Sequence, residues 1–183
     1  MALTHTPGPD SNFVCPDFNL KAMDGKSYSL KDFKNNQPLL VMFICNHCPY
    51  VKAIEDRLIQ LAADLKLQSV NTIGICSNDP NGYPEDSFEN LQKRWNQKKY
   101  LFPYLHDETQ KTAQDFGAVC TPDFFLFDHD LRLQYRGRLD DSWKDPSQVK
   151  KRELYEAALA LKNRQKIGFK ETPSMGCSIK WAR

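Results

Sequence analysis

The chain has 183 residues, 40% of them hydrophobic and 26% charged, with a formal net charge of +2 at pH 7. Such a composition suits one soluble domain with a good core, spanning residues 1–183. Lysines and arginines are scattered, with no basic run interleaved with aromatics, which excludes an electrostatic nucleic-acid binder, and the longest apolar run, Leu39 to Cys45, is far too short to cross a membrane.

Residues 1–16 are rich in Pro, Gly and polar residues and are expected to form an extended arm. Met1 to Pro9 has neither a basic start nor an apolar stretch, so no secretory signal is expected. A reducing, cytoplasmic setting follows, and the six cysteines are read as thiols rather than as three structural bridges. An edge strand is expected from Cys15 to Leu20. The turn Met23-Asp24-Gly25-Lys26 then leads into a returning strand from Lys26 to Leu30, because Asp-Gly supplies the positive φ of a tight hairpin.

Leu39 to Ile44 is a continuous apolar run and predicts a buried strand. Cys45-Asn46-His47-Cys48 follows at once. Val51, Ile54, Leu58, Leu61, Ala62 and Leu65 then recur at steps of three and four, the pattern of one apolar helix face. Val70 to Cys76 is a second core strand and Ser77 to Pro84 a loop. A helix is expected from Glu85 to Gln97, with Phe88, Leu91 and Trp95 on one face. A short helix from Thr109 to Phe116 stops at Gly117. Asp123 to Phe127 is a strand, and Asp128-His129-Asp130 turns it into Leu131 to Tyr135. Gly137 to Pro146 is a loop, Ser147 caps a last helix through Leu161, and residues 163–183 form an irregular tail expected to pack back on the domain. A β-α-β-α-β-β-α order behind an N-terminal β-hairpin extension predicts an α/β domain, a mixed sheet with helices on both faces.

The Cys-x-x-Cys carries the chemistry. At the junction of a strand and a helix, a thiolate meets unpaired N–H groups and the positive end of the helix dipole. Its pKa falls, to about 3.5–7.5 in such motifs against about 8.5 for free cysteine. Cys45, nearer the strand, is expected to be the more exposed nucleophile and Cys48 the resolving thiol, with the helix starting near Cys45 or Asn46. A charged His47 would favour the Cys45 thiolate. The competing reading is half of a zinc site, but no second Cys-x-x-Cys or His pair stands at finger spacing; no metal is assigned.

Further pieces bring a family resemblance. Thr121-Pro122 precedes the strand at Asp123, and together with Cys45-Asn46-His47-Cys48 and the trailing hairpin it resembles the thioredoxin fold, a three-layer α/β/α sandwich. Cys15-Pro16-Asp17-Phe18 with Asp24-Gly25-Lys26 looks like the opening of the peroxiredoxin, or thiol-specific-antioxidant, branch. The segments Phe43 to Lys52, Cys120 to Asp128 and Gly176 to Trp181 are similar to the peroxiredoxin-like thioredoxin-family proteins. The resemblance implies that Pro122 is a cis-proline and that Thr121 faces the cysteines and pairs with a bound peptide in a shallow groove. The peroxidase pattern Pro-x-x-x-Thr/Ser-x-x-Cys, aligned on Cys48, meets Val41 and Cys45 instead of its proline and hydroxyl residue. A histidine before the second cysteine is similar to protein disulfide isomerase.

The leading expectation is a thiol–disulfide oxidoreductase using Cys45, Cys48 and His47, with Thr121 and Pro122 binding substrate. It would act on protein or small-molecule disulfides, take electrons from a thioredoxin or glutathione system, and need no organic cofactor. Cys120 and Cys177 are a candidate second redox pair, or one of them relays electrons to the first pair. The alternatives are a thiol peroxidase, a protein binding or delivering a soft metal through its thiolates, and a redox-inert interaction domain. Cys76 is read as a small buried hydrophobe, Cys15 receives no role, and His5, His106 and His129 are surface residues. Glu55 and Asp64 are placed on a solvated helix face, and Trp143 as a loop-packing aromatic or a rim for the groove.

Overall fold

The structure, a computed structural model, describes residues 3–182. In chain order its elements are β1 (Leu3–His5), β2 (Asn19–Ala22), β3 (Ser27–Ser29), β4 (Leu39–Phe43), α1 (Pro49–Leu67), β5 (Asn71–Cys76), α2 (Phe88–Lys98), β6 (Tyr104–His106), α3 (Lys111–Phe116), β7 (Cys120–Thr121), β8 (Asp123–Phe127), β9 (Leu133–Tyr135), α4 (Glu153–Lys162) and β10 (Met175–Ser178). Seven strands form a mixed sheet in the order β3-β2-β6-β5-β4-β8-β9, and β1, β10 and β7 form a smaller one. β4 and β5 run parallel, as do β5 and β6, while β8 returns antiparallel to β4.

β4 lies at the centre because all five of its residues are apolar, so both of its faces can be covered. Successive side chains alternate between faces. Leu40 and Met42 pack with Ile54, Leu58 and Leu61 of α1 and with Leu154 and Ala158 of α4. Leu39, Val41 and Phe43 pack on the opposite side with Ala113 and Phe116 of α3. Helices therefore cover both faces of the sheet, as the order of elements predicts, and the result is the three-layer α/β/α arrangement that the thioredoxin resemblance implies.

Several boundaries differ from the sequence expectation for physical reasons. The first hairpin strand begins at Asn19 rather than Cys15, and Val14 makes only an isolated bridge with Arg132. The second long helix begins at Phe88, since the Ser87 hydroxyl accepts the Asn90 N–H and caps it there. Pro84–Asp86 is left as a separate 3₁₀ turn. Near the C-terminus Asp145, not Ser147, is the cap. Its carboxylate takes both the Ser147 N–H and hydroxyl, a single 3₁₀ turn follows, and the helix starts afresh at Glu153. The short strands β6, β7 and β10 lie in segments too brief or irregular for periodicity to mark. No helix among the described residues is long and apolar enough to cross a membrane.

Glu55 is not solvated. It is 5% exposed and ties α1 to α2, accepting a two-point contact from Arg94 at 2.7 and 2.5 Å and the Tyr100 hydroxyl at 2.6 Å. Burial opposes ionisation, but the Arg94, Tyr100 and Lys98 hydrogen bonds outweigh it, so its carboxyl titrates below the usual range. A depressed folded-state pKa gives stability that is present above the unfolded value, about 4.3, and is lost as pH falls through the folded one. Thermal melts of Glu55→Gln should therefore show a lower Tm than wild type at pH 6 and a smaller further fall on acidification to pH 3. Asp64, on the same helix as Glu55, accepts Arg152 Nη2 from the start of α4 at 2.5 Å.

Candidate active site

The site stands at the carboxyl end of β4, where a sheet of this kind opens its crevice. Ile44 still donates its N–H to the Ile75 carbonyl at 3.0 Å, and the chain then leaves the sheet. A residue before proline is pushed away from helical backbone angles. Pro49 thereby holds Cys48 extended, at φ −67° and ψ 123°, and itself becomes the first helical residue. Helix α1 thus starts at Pro49, not at Cys45 or Asn46. The consequence is chemical: Cys48 is the cap residue at the positive end of the helix, and Cys45 lies before it.

Both sulfurs rest on one residue. Cys45 Sγ is 3.2 Å from Thr121 Oγ1, and Cys48 Sγ donates to the Thr121 carbonyl at 3.0 Å. The Thr121–Pro122 bond is cis. Both cysteines are reduced and buried, Cys45 at 3% and Cys48 at 0% exposure. The two thiols hydrogen-bond to one another and share the site's negative charge unequally. The bond from Cys45 is the main cause that lowers Cys48, assisted against burial by the backbone N–H groups of Cys177 and Val51 and by the Cys177 thiol. Cys45 is driven up by burial first, then by its bond to Cys48 and by the charge of Asp86. The coupling thus favours charge on Cys48 over Cys45, while the bond from Cys48 Sγ to the Thr121 carbonyl requires the Cys48 proton and is lost when that thiol ionises.

Asp86 is the site residue that the sequence did not mark. It is fully buried. Its Oδ1 accepts the Asn46 N–H at 2.7 Å and the His47 N–H at 3.3 Å, and its Oδ2 meets Asn78 Nδ2 at 2.9 Å and His47 Nδ1 at 2.5 Å. His47 stacks on Tyr83, 4.4 Å between centroids, and is turned to the carboxylate rather than to either sulfur. The expected support of the Cys45 thiolate by His47 is therefore replaced by an acid facing Cys45. In sequence Asp86 resembled an ordinary acidic residue of a first helical turn; the Ser87 cap was the signal that it belongs to a separate turn. Cys45 Sγ, one His47 ring nitrogen and one Asp86 oxygen lie within 4.8 Å of one another and could hold an ion. Both Asp86 oxygens already have two partners each, so this group is built first as a hydrogen-bonded support of the loop.

The other predicted thiols separate. In the β7–β10 ladder Cys177 stands opposite Thr121 and Ser178 opposite Cys120. Neighbouring strand residues face opposite ways, so Cys120 and Cys177 lie on different faces of this small sheet. The expected Cys120–Cys177 pair is not formed; Cys177 meets Cys48 instead. Cys120 is buried against the Pro122 carbonyl, and burial pushes its thiol up. Cys76 is buried at the end of β5, and Cys15 is buried near the β9 edge. His5 is exposed; His106 and His129 are half-buried. A cavity of about 250 Å³ adjoins Pro122, with Tyr50, Ile54, Trp143 and Met175 among its lining residues. Trp143 is set there by Arg57, which donates to the Ser142 and Trp143 carbonyls at 2.7 Å and to Asp140 at 2.5 Å.

The Thr121–Pro122 edge, expected to be an open peptide groove, is occupied. Strand β10 of the chain itself pairs there, so the groove is a site already filled rather than a vacant surface.

The AhpC/TSA family profile matches residues 13–136. The chain belongs to this family. A crystal structure of an uncharacterized conserved protein from Geobacillus kaustophilus is 41% identical, covers 100% of this chain and 97% of its own, and superposes with a TM-score of 0.92. A hypothetical protein from Sinorhizobium meliloti is 36% identical over 97% of this chain and 99% of its own, with a TM-score of 0.88. The thioredoxin domain of a thiol-disulfide oxidoreductase from Bacteroides vulgatus, at 18% identity, 69% and 87% coverage and a TM-score of 0.58, shares the fold. No curated protein matches the chain. This AhpC/TSA member is a thioredoxin-fold redoxin with a thiol redox function.

Proposed function

We propose that the protein is a thiol–disulfide oxidoreductase whose redox pair is Cys45 and Cys48. The observation that carries this reading is the shared seat of the two sulfurs on Thr121, 3.2 Å from its hydroxyl and 3.0 Å from its carbonyl. Cys48, as the thiolate, attacks one sulfur of a substrate disulfide, and the other substrate sulfur leaves as a thiolate. Cys45 then attacks Cys48 Sγ and gives its proton to the second leaving thiolate. Once solvent protonates the first leaving thiolate, the products are a Cys45–Cys48 disulfide and two substrate thiols, and a thioredoxin- or glutathione-type donor restores the dithiol. No organic cofactor enters this cycle.

A second reading, reduction of peroxide by the same thiolate, is favoured by the family match alone. Val41 and Cys45 stand where a peroxidase would have its proline and hydroxyl residue. Comparing turnover of glutathione disulfide with that of hydrogen peroxide separates the two.

The test is a titration of the thiolate ultraviolet absorbance. Reduced wild type should develop a band well below the free-cysteine value of about 8.5. Cys48→Ser should lose it. Cys45→Ser should keep it but with the midpoint moved up, because the bond from Cys45 is the main cause that lowers Cys48. A wild-type thiolate that forms only near the free-cysteine value would refute the reading.

A further inference from the structure

Strand β10 lies where a thioredoxin-like groove would take an extended peptide. It adds antiparallel to β7, placing Cys177 opposite Thr121, the residue that holds both redox sulfurs. Both ends are fastened. Ser174 Oγ donates to the Pro122 carbonyl at 3.0 Å, and Ile179 N–H donates to the Val119 carbonyl at 3.2 Å. Strand β1 closes the outer edge, with Leu3 opposite Cys177. The approach is so close that only glycine fits at position 176, since a Cβ there would overlap the Thr121 carbonyl. Farther on, Lys180 N–H reaches Asn78, which in turn bonds Asp86 beneath the motif.

We infer that β10 is a built-in substrate strand and that Cys177 is the third thiol of the redox centre, exchanging disulfides with Cys48. The inference rests on the Cys45–Cys48 reading above. Starting from the Cys45–Cys48 disulfide, the Cys177 sulfur attacks Cys48 Sγ, a Cys48–Cys177 bond forms, and Cys45 leaves and takes up the Cys177 proton. No net electrons are exchanged. One thiol of an external dithiol then attacks Cys177 Sγ, Cys48 departs as a thiolate, and the second thiol attacks its partner sulfur in the mixed disulfide, releasing the Cys177 thiol and leaving the external pair oxidised to its disulfide. The external step suits the chemistry of exchange, in which the better-stabilised thiolate leaves faster, because Cys48 is the sulfur that departs there; the internal step is set by the placement of Cys177 beside Cys48. Burial and the Cys48 thiolate together push the Cys177 thiol up to about 11. The contribution of Cys48 vanishes once Cys48 is in a disulfide, so Cys177 becomes easier to ionise at the step that needs it.

The experiment treats the full-length Cys45→Ser variant with glutathione disulfide, alkylates the remaining thiols in the native state, and maps bridges by proteolysis and mass spectrometry. Cys45→Ala serves if the serine variant does not fold. The expected product is a Cys48–Cys177 disulfide, formed by way of a Cys48–glutathione mixed disulfide. A mixed disulfide that persists with Cys177 alkylated overturns the inference and leaves the Cys45–Cys48 reading standing. A Cys120–Cys177 bridge overturns it equally. If wild type treated in parallel forms no bridge at all, the underlying reading fails with it. In the Cys45→Ser background, Gly176→Val should slow the bridge at least about tenfold, because a displaced strand lowers the effective concentration of Cys177. An unchanged rate would show that docking of β10 does not bring the sulfurs together.

Discussion

Cys48→Ser is expected to lower steady-state turnover of a small disulfide by about 10³-fold or more, as loss of a nucleophile does, while Cys45→Ser should cost distinctly less. The ranking follows from where the charge sits. Pro49 forces Cys48 out of the helix and into the cap position, and the hydrogen bond from Cys45, with backbone amides on the far side, favours its thiolate once the proton given to the Thr121 carbonyl is lost. Cys45 is buried, faces Asp86, and keeps its proton. In Cys45→Ser the attacking sulfur remains and a neighbouring thiol, Cys177, can complete the exchange. In Cys48→Ser the remaining Cys45 is a neutral thiol in a site that disfavours its charge. Initial rates with glutathione disulfide, measured for both variants at pH 7, give the comparison. If Cys45→Ser proved the more damaged, the attacking sulfur would be Cys45 and the assignment of roles would reverse.

The same site shows how far sequence reasoning reaches. The apolar run from Leu39 to Ile44, the Cys-x-x-Cys and the helical spacing after it are local patterns, and they fix the strand, the motif and the helix in order. The thioredoxin-like fold was legible because Thr121-Pro122 and the trailing hairpin add to them. What periodicity could not supply was direction at the junction. That depends on a steric rule at Cys48-Pro49: the missing N–H of a proline is tolerated anywhere in a first helical turn and leaves the start open, and only the clash that keeps Cys48 extended places it at Pro49. Asp86 was hidden for another reason. A buried acid that satisfies loop amides has no neighbours in sequence to reveal it, and only its distance from Asn46 and His47 in space does. The position of β10 was least accessible of all. Four residues in a tail have no period to read, and their register depends on a glycine whose role is to let two backbones touch.

Arg136→Ala is expected to destabilise the protein by about 3–5 kcal/mol, the usual cost of stranding one partner of a buried ion pair, and thereby lower Tm by about 10 °C in a chain of this size. Arg136 is 6% exposed and Asp123 is fully buried. The guanidinium donates to both Asp123 oxygens, at 3.1 and 2.8 Å, and to the Gly117 carbonyl at 2.8 Å, and it lies 4.2 Å over the Phe125 ring. Asp123 in turn accepts the Val119 N–H at 3.1 Å. These bonds bracket the segment from Gly117 to Asp123, and within that bracket lie Cys120, Thr121 and Pro122. The clamp therefore acts on chemistry as well as stability, because the Thr121 carbonyl and hydroxyl are what hold the two sulfurs. Arg136→Lys should recover only part of the loss, since an ammonium cannot make the two-point contact or stack on Phe125. Replacing Asp123 and Arg136 together by apolar residues should recover more stability than the lysine variant, because no buried charge is left unpaired. It should not restore turnover, because the Val119 amide and the Gly117 carbonyl still lose the groups that fix the loop. Thermal melts and initial rates on the three variants, taken together, separate a clamp that only stabilises the fold from one that also sets the geometry of the thiols.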